Sequence, residues 1–85
     1  MSGRFHVLVE VSLRAGVADP QGSTIERSLP ALDIGGVTEV RVGKAIRFTL
    51  EASDEAGARA RAEDMSRRFL SNPVIEDFRI EVGAE

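Results

Sequence analysis

Few side chains in this sequence could perform catalysis or bind a metal. His6 is the only histidine and there are no cysteines, so neither an imidazole cluster nor a thiolate site can form. No spacing joins His6 to a serine and an acid, as a nucleophilic triad would require. The aspartates and glutamates fall on amphipathic faces, where carboxylates are ordinarily solvated. We therefore expect no catalytic residue, metal or cofactor in this chain, and interpret His6 as a surface or interface side chain.

Three short segments combine charged residues with glycine or proline where the chain should turn. In the first, residues 14–22, Arg14 and Gly16 precede Asp19-Pro20, and Gly22 follows it. Such a loop before a helix N-terminus could hold an anion, or Asp19 could itself cap the helix. The cap is favoured, because Asp19 already supplies a negative group there. The second segment, residues 41–44, is predicted to be a basic hairpin tip, and Asn72-Pro73 to stop a helix.

The size and charge of the chain narrow the class of protein to which it can belong. Its 85 residues suffice for one domain, residues 1–85, and 42% hydrophobic with 29% charged residues is typical of a globular protein. The net charge of -3 is opposite in sign to that of a typical duplex nucleic-acid binder. No apolar stretch is long enough to span a membrane, and the N-terminus lacks the apolar region of a signal peptide. A cytoplasmic protein is expected.

Hydrophobic alternation predicts four strands. The pattern has a period of two over residues 5–13, and further apolar runs occupy residues 37–42, 45–52 and 74–82. Between the second and third strands, placing apolar residues on one face favours a three-residue loop, Gly43-Lys44-Ala45, or a bulge there, over a two-residue hairpin.

Two helices are predicted between these strands. The first begins at Asp19-Pro20, and Pro30 should kink it or end it near Ser28. Its apolar stripe consists of Ile25, Leu29 and Leu32. The second helix begins at Ser53 and stops before Pro73. Its apolar stripe consists of Ala58, Ala62, Met65 and Phe69.

The order βαββαβ predicts a ferredoxin-like α+β fold, a four-stranded antiparallel sheet with two helices on one face and a charge-mixed polar face opposite. RNA-recognition domains of this fold need exposed aromatics, which this pattern places on the buried face. Heavy-metal domains need paired cysteines, and acylphosphatases need a G-x-V-Q-G-V loop; neither is present. A dimeric ACT-like module that binds a small metabolite remains an alternative, since it needs only a glycine-containing loop after the first strand.

Three stretches taken together resemble one family. They are LRAGVADPQG at residues 13–22, VRVGKAI at 40–46 and NPVIEDFRIEV at 72–82. In this order and spacing they resemble the small subunit of phosphoribosylformylglycinamidine synthase, the PurS family, over nearly the whole chain. Arg14 stands where a lysine is common and Phe78 where a tyrosine is common, which keeps charge and bulk. Pro30 is unusual within the first helix.

The resemblance implies a non-catalytic subunit of a C–N bond-forming ligase of purine biosynthesis. In that family a large synthetase subunit uses ATP and magnesium to convert formylglycinamide ribonucleotide to formylglycinamidine ribonucleotide. A glutaminase subunit releases ammonia from glutamine. The small subunit, a homodimer or tetramer, brings the two together so that ammonia passes between them. Neither nucleic acid nor membrane is implied as a partner.

Given this resemblance, we expect the three turn segments to contact the partner subunits. Their local roles could be filled by many sequences, so the particular Gln21, Lys44 and Glu76 are not explained by folding. Loops on a rigid sheet are also where function usually lies. The predicted partner-binding residues are Arg14, Gly16, Asp19, Pro20, Gln21, Gly22, Arg41, Gly43, Lys44, Asn72, Pro73 and Glu76.

Overall fold

The central strand, β1 (Gly3–Leu13), pairs with an antiparallel neighbour on each side in a computed structural model that describes residues 3–85. These neighbours are β2 (Gly43–Ala52) and β3 (Glu76–Ala84), so the sheet order is β2-β1-β3. The helices are α1 (Pro20–Ser28) and α2 (Glu55–Met65). Short turns of 3-10 helix (Pro30–Leu32) and π-helix (Ser66–Leu70) follow them. None of the helices in residues 3–85 could cross a membrane.

The sheet has three strands among the described residues, so the prediction of a four-stranded ferredoxin-like sheet is wrong. Residues 37–42 form no strand, and the element order is βαβαβ. Two of their N–H groups bond to side chains instead: Val40 donates to Glu26 and Val42 to Asp19. Glu39 has a positive φ of 58°, which interrupts an extended backbone.

The predicted loop Gly43-Lys44-Ala45 is also wrong. All three residues belong to β2, where Gly43 lies opposite Ser12 and Lys44 opposite Val11. With no strand before it, β2 needs no hairpin, and its register is set by β1 alone. The final strand was predicted to begin at residue 74, but it begins two residues later, at Glu76. The reason is that the Asn72 carbonyl closes a turn by accepting from the Ile75 and Glu76 N–H groups.

The alternation of β1 places its valines in the core. Val7, Val9 and Val11 are buried together with Leu50 and Ile80 of the flanking strands. Burying such a side chain stabilises the fold by about 1.5–3 kcal/mol. The opposite face carries charges of both signs, as predicted.

Helix α2 covers the buried face of the sheet through Ala58 and Ala62, both fully buried. Its cap is Asp54, which accepts from the Gly57 N–H at 2.7 Å, and the predicted start at Ser53 is one residue early. The predicted inward positions of Met65 and Phe69 are wrong, and Phe69 is 85% exposed.

The π-helical turn explains why Phe69 points outward. A π-turn closes over five residues rather than four, so the side chains that follow shift by about one position. Here the Ser71 N–H donates to the Ser66 carbonyl, and Leu70 packs against the core in place of Phe69. The buried Ser66 hydroxyl is satisfied by the Ala62 carbonyl at 2.7 Å.

Helix α1 ends at Ser28, and Pro30 opens the 3-10 turn, as its missing N–H predicted. Its apolar residues are not buried as an amphipathic stripe on the sheet. Ile25 is exposed, and Leu32 is 67% exposed. The helix instead contacts the segment that precedes β2, and the expectation of two helices covering one sheet face therefore holds for α2 only.

Candidate functional site

The three predicted contact segments meet at one end of the sheet. In the two antiparallel ladders, Ser12 lies opposite Gly43 and Leu13 lies opposite Glu76. The end of β1 therefore adjoins the beginnings of both β2 and β3. This register brings together turns that are 20 to 60 residues apart along the chain, and we call the assembled surface the loop end.

Arg14 joins the first and third segments. Its guanidinium donates to the carbonyl of Pro73 at 2.7 Å and lies 3.4 Å from the Asp77 carboxylate. Its backbone N–H donates to the Ile75 carbonyl at 2.8 Å. The Arg14 side chain thus fixes the turn at residues 72–75 on the end of β1, a structural role that the sequence did not predict.

The turn before β3 is held by its own polar side chains. The Asn72 side-chain carbonyl accepts from the Val74 N–H at 3.1 Å, and the Glu76 carboxylate accepts from the Asn72 N–H at 2.6 Å. Asn72 does not have the positive φ of a left-handed helix C-cap. Glu76, which the sequence left unexplained, therefore has a local role in folding, and Pro73 is exposed at the tip.

Asp19 connects helix α1 to the segment before β2. One carboxylate oxygen accepts from the Gly22 N–H at 2.8 Å and caps the helix; the other accepts from the Val42 N–H at 2.7 Å. The predicted cap is confirmed, and Asp19 is only 7% exposed. These backbone donors, Gly22 first and Val42 second, lower the pKa of Asp19 below its usual value because they stabilise the ionised form.

The lowered pKa of Asp19 makes stability depend on pH. Since the pKa is lower in the folded chain than in the unfolded one, the contribution is complete above about pH 4 and is lost as pH falls through the folded value. Asp19→Asn should keep the cap but lose the bond to Val42, lowering the melting temperature at pH 7 by roughly 5 °C. The difference from the unsubstituted chain should shrink below pH 4. Asp54→Asn, at the equivalent cap of α2, is the control, and an equal pH dependence in both variants would contradict this role.

Two glycines allow close approaches at the loop end. A Cβ on Gly22 would lie 2.2 Å from the Val40 carbonyl oxygen, and one on Gly43 would lie 2.7 Å from the Val11 carbonyl oxygen. Gly16 has a φ of 86°, in the left-handed region that favours glycine. All three predicted glycines thus have backbone roles that position the loop end.

Gln21 and Lys44 are the predicted contacts without such an internal role. Both are exposed, and within residues 3–85 their side chains form no hydrogen bond or ion pair. Both line an open cavity of about 350 Å³ together with Pro20, Asp19 and Glu76. Arg41 lies nearby and donates to the Arg14 carbonyl at 3.2 Å. An amide and a cation are therefore left available at a rigid, glycine-rich surface.

Sequence reasoning missed Glu26, which accepts from the Val40 N–H at 3.0 Å. A usable signal existed, because Asp19, Gly22 and Glu26 are spaced at i, i+3 and i+7 and so share one face of the helix. A glycine between two acids on one helix face indicates that another stretch of backbone packs closely against that face.

The family model PurS, described as phosphoribosylformylglycinamidine (FGAM) synthase, matches residues 6–84. The chain belongs to the PurS family. The phosphoribosylformylglycinamidine synthase subunit PurS of Synechocystis is 42% identical over 84 residues, covering 99% of this chain and 84% of that one.

Solved PurS structures share the fold. The purS subunit of Thermotoga maritima, 30% identical, superposes with a TM-score of 0.88 and covers 98% of this chain and 95% of its own. A chain in the structure of PurLQS from Thermotoga maritima, 31% identical, has a TM-score of 0.86 and covers 94% of this chain and 98% of its own. The resemblance on the three loop segments is thereby confirmed over the whole PurS fold.

Proposed function

We propose that this chain is the small subunit of a phosphoribosylformylglycinamidine synthase, bridging a synthetase subunit and a glutaminase subunit. The observation that carries the proposal is its likeness, over 98% of the matched chain, to a component of PurLQS, whose name denotes an assembly of several Pur subunits. The PurS match over residues 6–84 supports the same role. Co-purification with the synthetase and glutaminase subunits of the same enzyme tests it, and a chain that binds neither would overturn it.

We further propose that the partners bind at the loop end. Arg14, Asp19, Arg41, Asn72 and Glu76 make internal contacts that hold this surface, so their contribution to binding is mainly to position it. The side chains of Gln21 and Lys44 supply the direct polar contacts. A rigid backbone with a few free polar groups loses little conformational entropy on binding.

The chain supplies no chemistry of its own in this proposal. His6 is exposed on the polar face, 3.8 Å from the Glu85 carboxylate, and across residues 3–85 no three potential ligands cluster to hold a metal. ATP and magnesium would be used by the synthetase subunit, and the complex would act in the cytoplasm.

The purified chain should therefore hydrolyse neither glutamine nor ATP. The reason is that no spacing in the sequence joins His6 to a nucleophile and an acid, and within residues 3–85 no three potential metal ligands cluster. Ammonia and phosphate release assays on the isolated chain provide the measurement. Turnover that a point substitution in this chain abolishes would show that the chain itself is catalytic.

Self-association is expected from the apolar surface that the fold leaves uncovered. Ile25, Leu32, Ile34 and Val37 are all exposed around α1 and the segment that follows it. The radius of gyration is 16.7 Å, whereas a compact chain of this length would have about 12 Å. Such an extended chain buries little of its own apolar surface, so covering it with a second copy would stabilise the fold.

Sedimentation at micromolar concentration should find a dimer or larger oligomer. A double substitution, Leu32→Ser with Ile34→Ser, removes exposed apolar groups that no described contact requires, and should shift the chain toward monomer. Ser23→Ala on the exposed surface of α1 is the control. A stable monomer of the unsubstituted chain at this concentration would contradict the expectation.

A further inference from the structure

One face of α1 holds the stretch of chain at residues 33–42, which we call the crossover. Asp19 accepts from the Val42 N–H at 2.7 Å and Glu26 accepts from the Val40 N–H at 3.0 Å. Between these two acids, Gly22 is buried so close to the crossover that a Cβ would meet the Val40 carbonyl at 2.2 Å. Two charged acceptors and one close backbone contact thus hold the crossover at Val40 and Val42.

The crossover has little else to fix it in place. Among the described residues, its backbone–backbone bonds are confined to Asp33 and Ile34, which close the 3-10 turn. Residues 33–39 are exposed, and three residues of the crossover, Asp33, Gly36 and Glu39, have positive φ values. The position of residues 40–42 therefore depends largely on the acids of α1, together with the bond from the Arg41 guanidinium to the Arg14 carbonyl.

Val40 and Val42, the two residues fixed in this way, flank Arg41 of the loop end. Arg41 lies between Val40 and Val42, and its guanidinium reaches the Arg14 carbonyl at 3.2 Å. Lys44 follows two residues after Val42, at the edge of the cavity that Asp19 and Gln21 also line. Releasing the crossover would allow Arg41 to move relative to β1 and β3, whereas Lys44 is held in β2, opposite Val11 of β1.

We infer that Asp19 and Glu26 are positioning residues, which fix the crossover so that Arg41 keeps its place at the loop end for the partner subunits. The inference rests on the proposed function, since it concerns how the same surface is presented. The acids act through backbone N–H groups and need not touch the partner. Because a preorganised surface binds more tightly than a mobile one, their loss should weaken assembly.

Glu26 offers the sharper test, because Asp19 also caps α1. Glu26→Ala removes the acceptor and keeps a strong helix former within α1, whereas Glu26→Gln keeps an oxygen acceptor. Binding of the synthetase–glutaminase pair to immobilised chain should weaken on the order of 10-fold for Glu26→Ala and by no more than about 3-fold for Glu26→Gln. Arg27→Ala, one position along the helix, should bind as the unsubstituted chain does.

A double-substitution cycle separates positioning from a general loss of stability. In an Arg41→Ala background, Glu26→Ala should cost no more than about 2-fold, because the group that it positions is gone. Equal losses in both backgrounds, or a folded Glu26→Ala chain that binds normally, would overturn the inference. If Glu26→Ala does not fold, Glu26→Asp, which shortens the reach to Val40, takes its place in the same cycle. Failure of the unsubstituted chain to bind would overturn the proposed function and this inference together, whereas the outcomes above overturn the inference alone.

Discussion

Gly22→Ala should destabilise this chain by about 3 kcal/mol, at the upper end of what overpacking usually costs. The added Cβ would lie 2.2 Å from the Val40 carbonyl oxygen and 2.9 Å from the Asp19 carboxylate, and the first of these is backbone that cannot rotate away. Relief requires α1 to separate from residues 40–42, which breaks the bonds at Val40 and Val42. Urea denaturation should show the loss as a lower midpoint at an unchanged slope.

Gly57→Ala is a matched control for this substitution. Gly57 is the third residue of α2 after the cap Asp54, just as Gly22 is the third residue of α1 after Asp19. A Cβ there meets only the Asp54 carboxylate at 3.1 Å and the Ala52 side chain at 4.0 Å. Since alanine is favoured over glycine in helices, this variant should be near neutral or slightly more stable. Equal stability changes at the two glycines would contradict the close packing of α1 on the crossover.

Lys44→Glu should impair assembly without impairing the fold. The Lys44 side chain is exposed and forms no hydrogen bond or ion pair within residues 3–85. The free energy of unfolding should therefore change by no more than about 0.5 kcal/mol. If Lys44 faces an acid on a partner subunit, reversing its charge replaces attraction by repulsion, and affinity should fall roughly 10- to 100-fold. Glutamine-dependent synthesis should fall with it, and ammonia-dependent synthesis should fall less.

Arg47→Glu controls for the change in net charge. Arg47 lies on the same strand but on the polar face, opposite Leu8 and away from the loop end. The Arg47→Glu chain should therefore bind partners nearly as well as the unsubstituted chain does. A stable Lys44→Glu chain that assembles normally would remove this residue from the interface, and an unfolded one would assign it a structural role.

The parts of the fold that the sequence predicted well are those that local patterns determine. The alternation of β1 requires one face inside, and Asp19-Pro20 carries both a cap and a suitable first residue. Residues 37–42 of the crossover were mistaken for a strand because Val37, Val40 and Val42 resemble a strand pattern. What decided its structure was the supply of acceptors on α1, 14 and 23 residues away, which no local pattern displays.

The candidate site was predicted as three separate segments, and the register of the sheet unites them. The sequence could not distinguish residues that hold the surface from residues that are free to bind. Glu76 looked available and instead bonds to Asn72, while Lys44 remains exposed. The predicted burial of Phe69 was wrong for a related reason. A π-helical turn breaks the 3.6-residue period from which that burial was inferred.

Reconstituting the enzyme with and without this chain tests the proposed role most directly. Synthetase and glutaminase subunits should be assayed for formylglycinamidine ribonucleotide formation, with glutamine or with ammonia as the nitrogen source. Adding the chain should raise glutamine-dependent synthesis at least about 10-fold, because docking of the glutaminase depends on it, and change ammonia-dependent synthesis by less than about 3-fold. Glutamine-dependent synthesis that proceeds equally well without the chain would contradict its role as the bridging subunit.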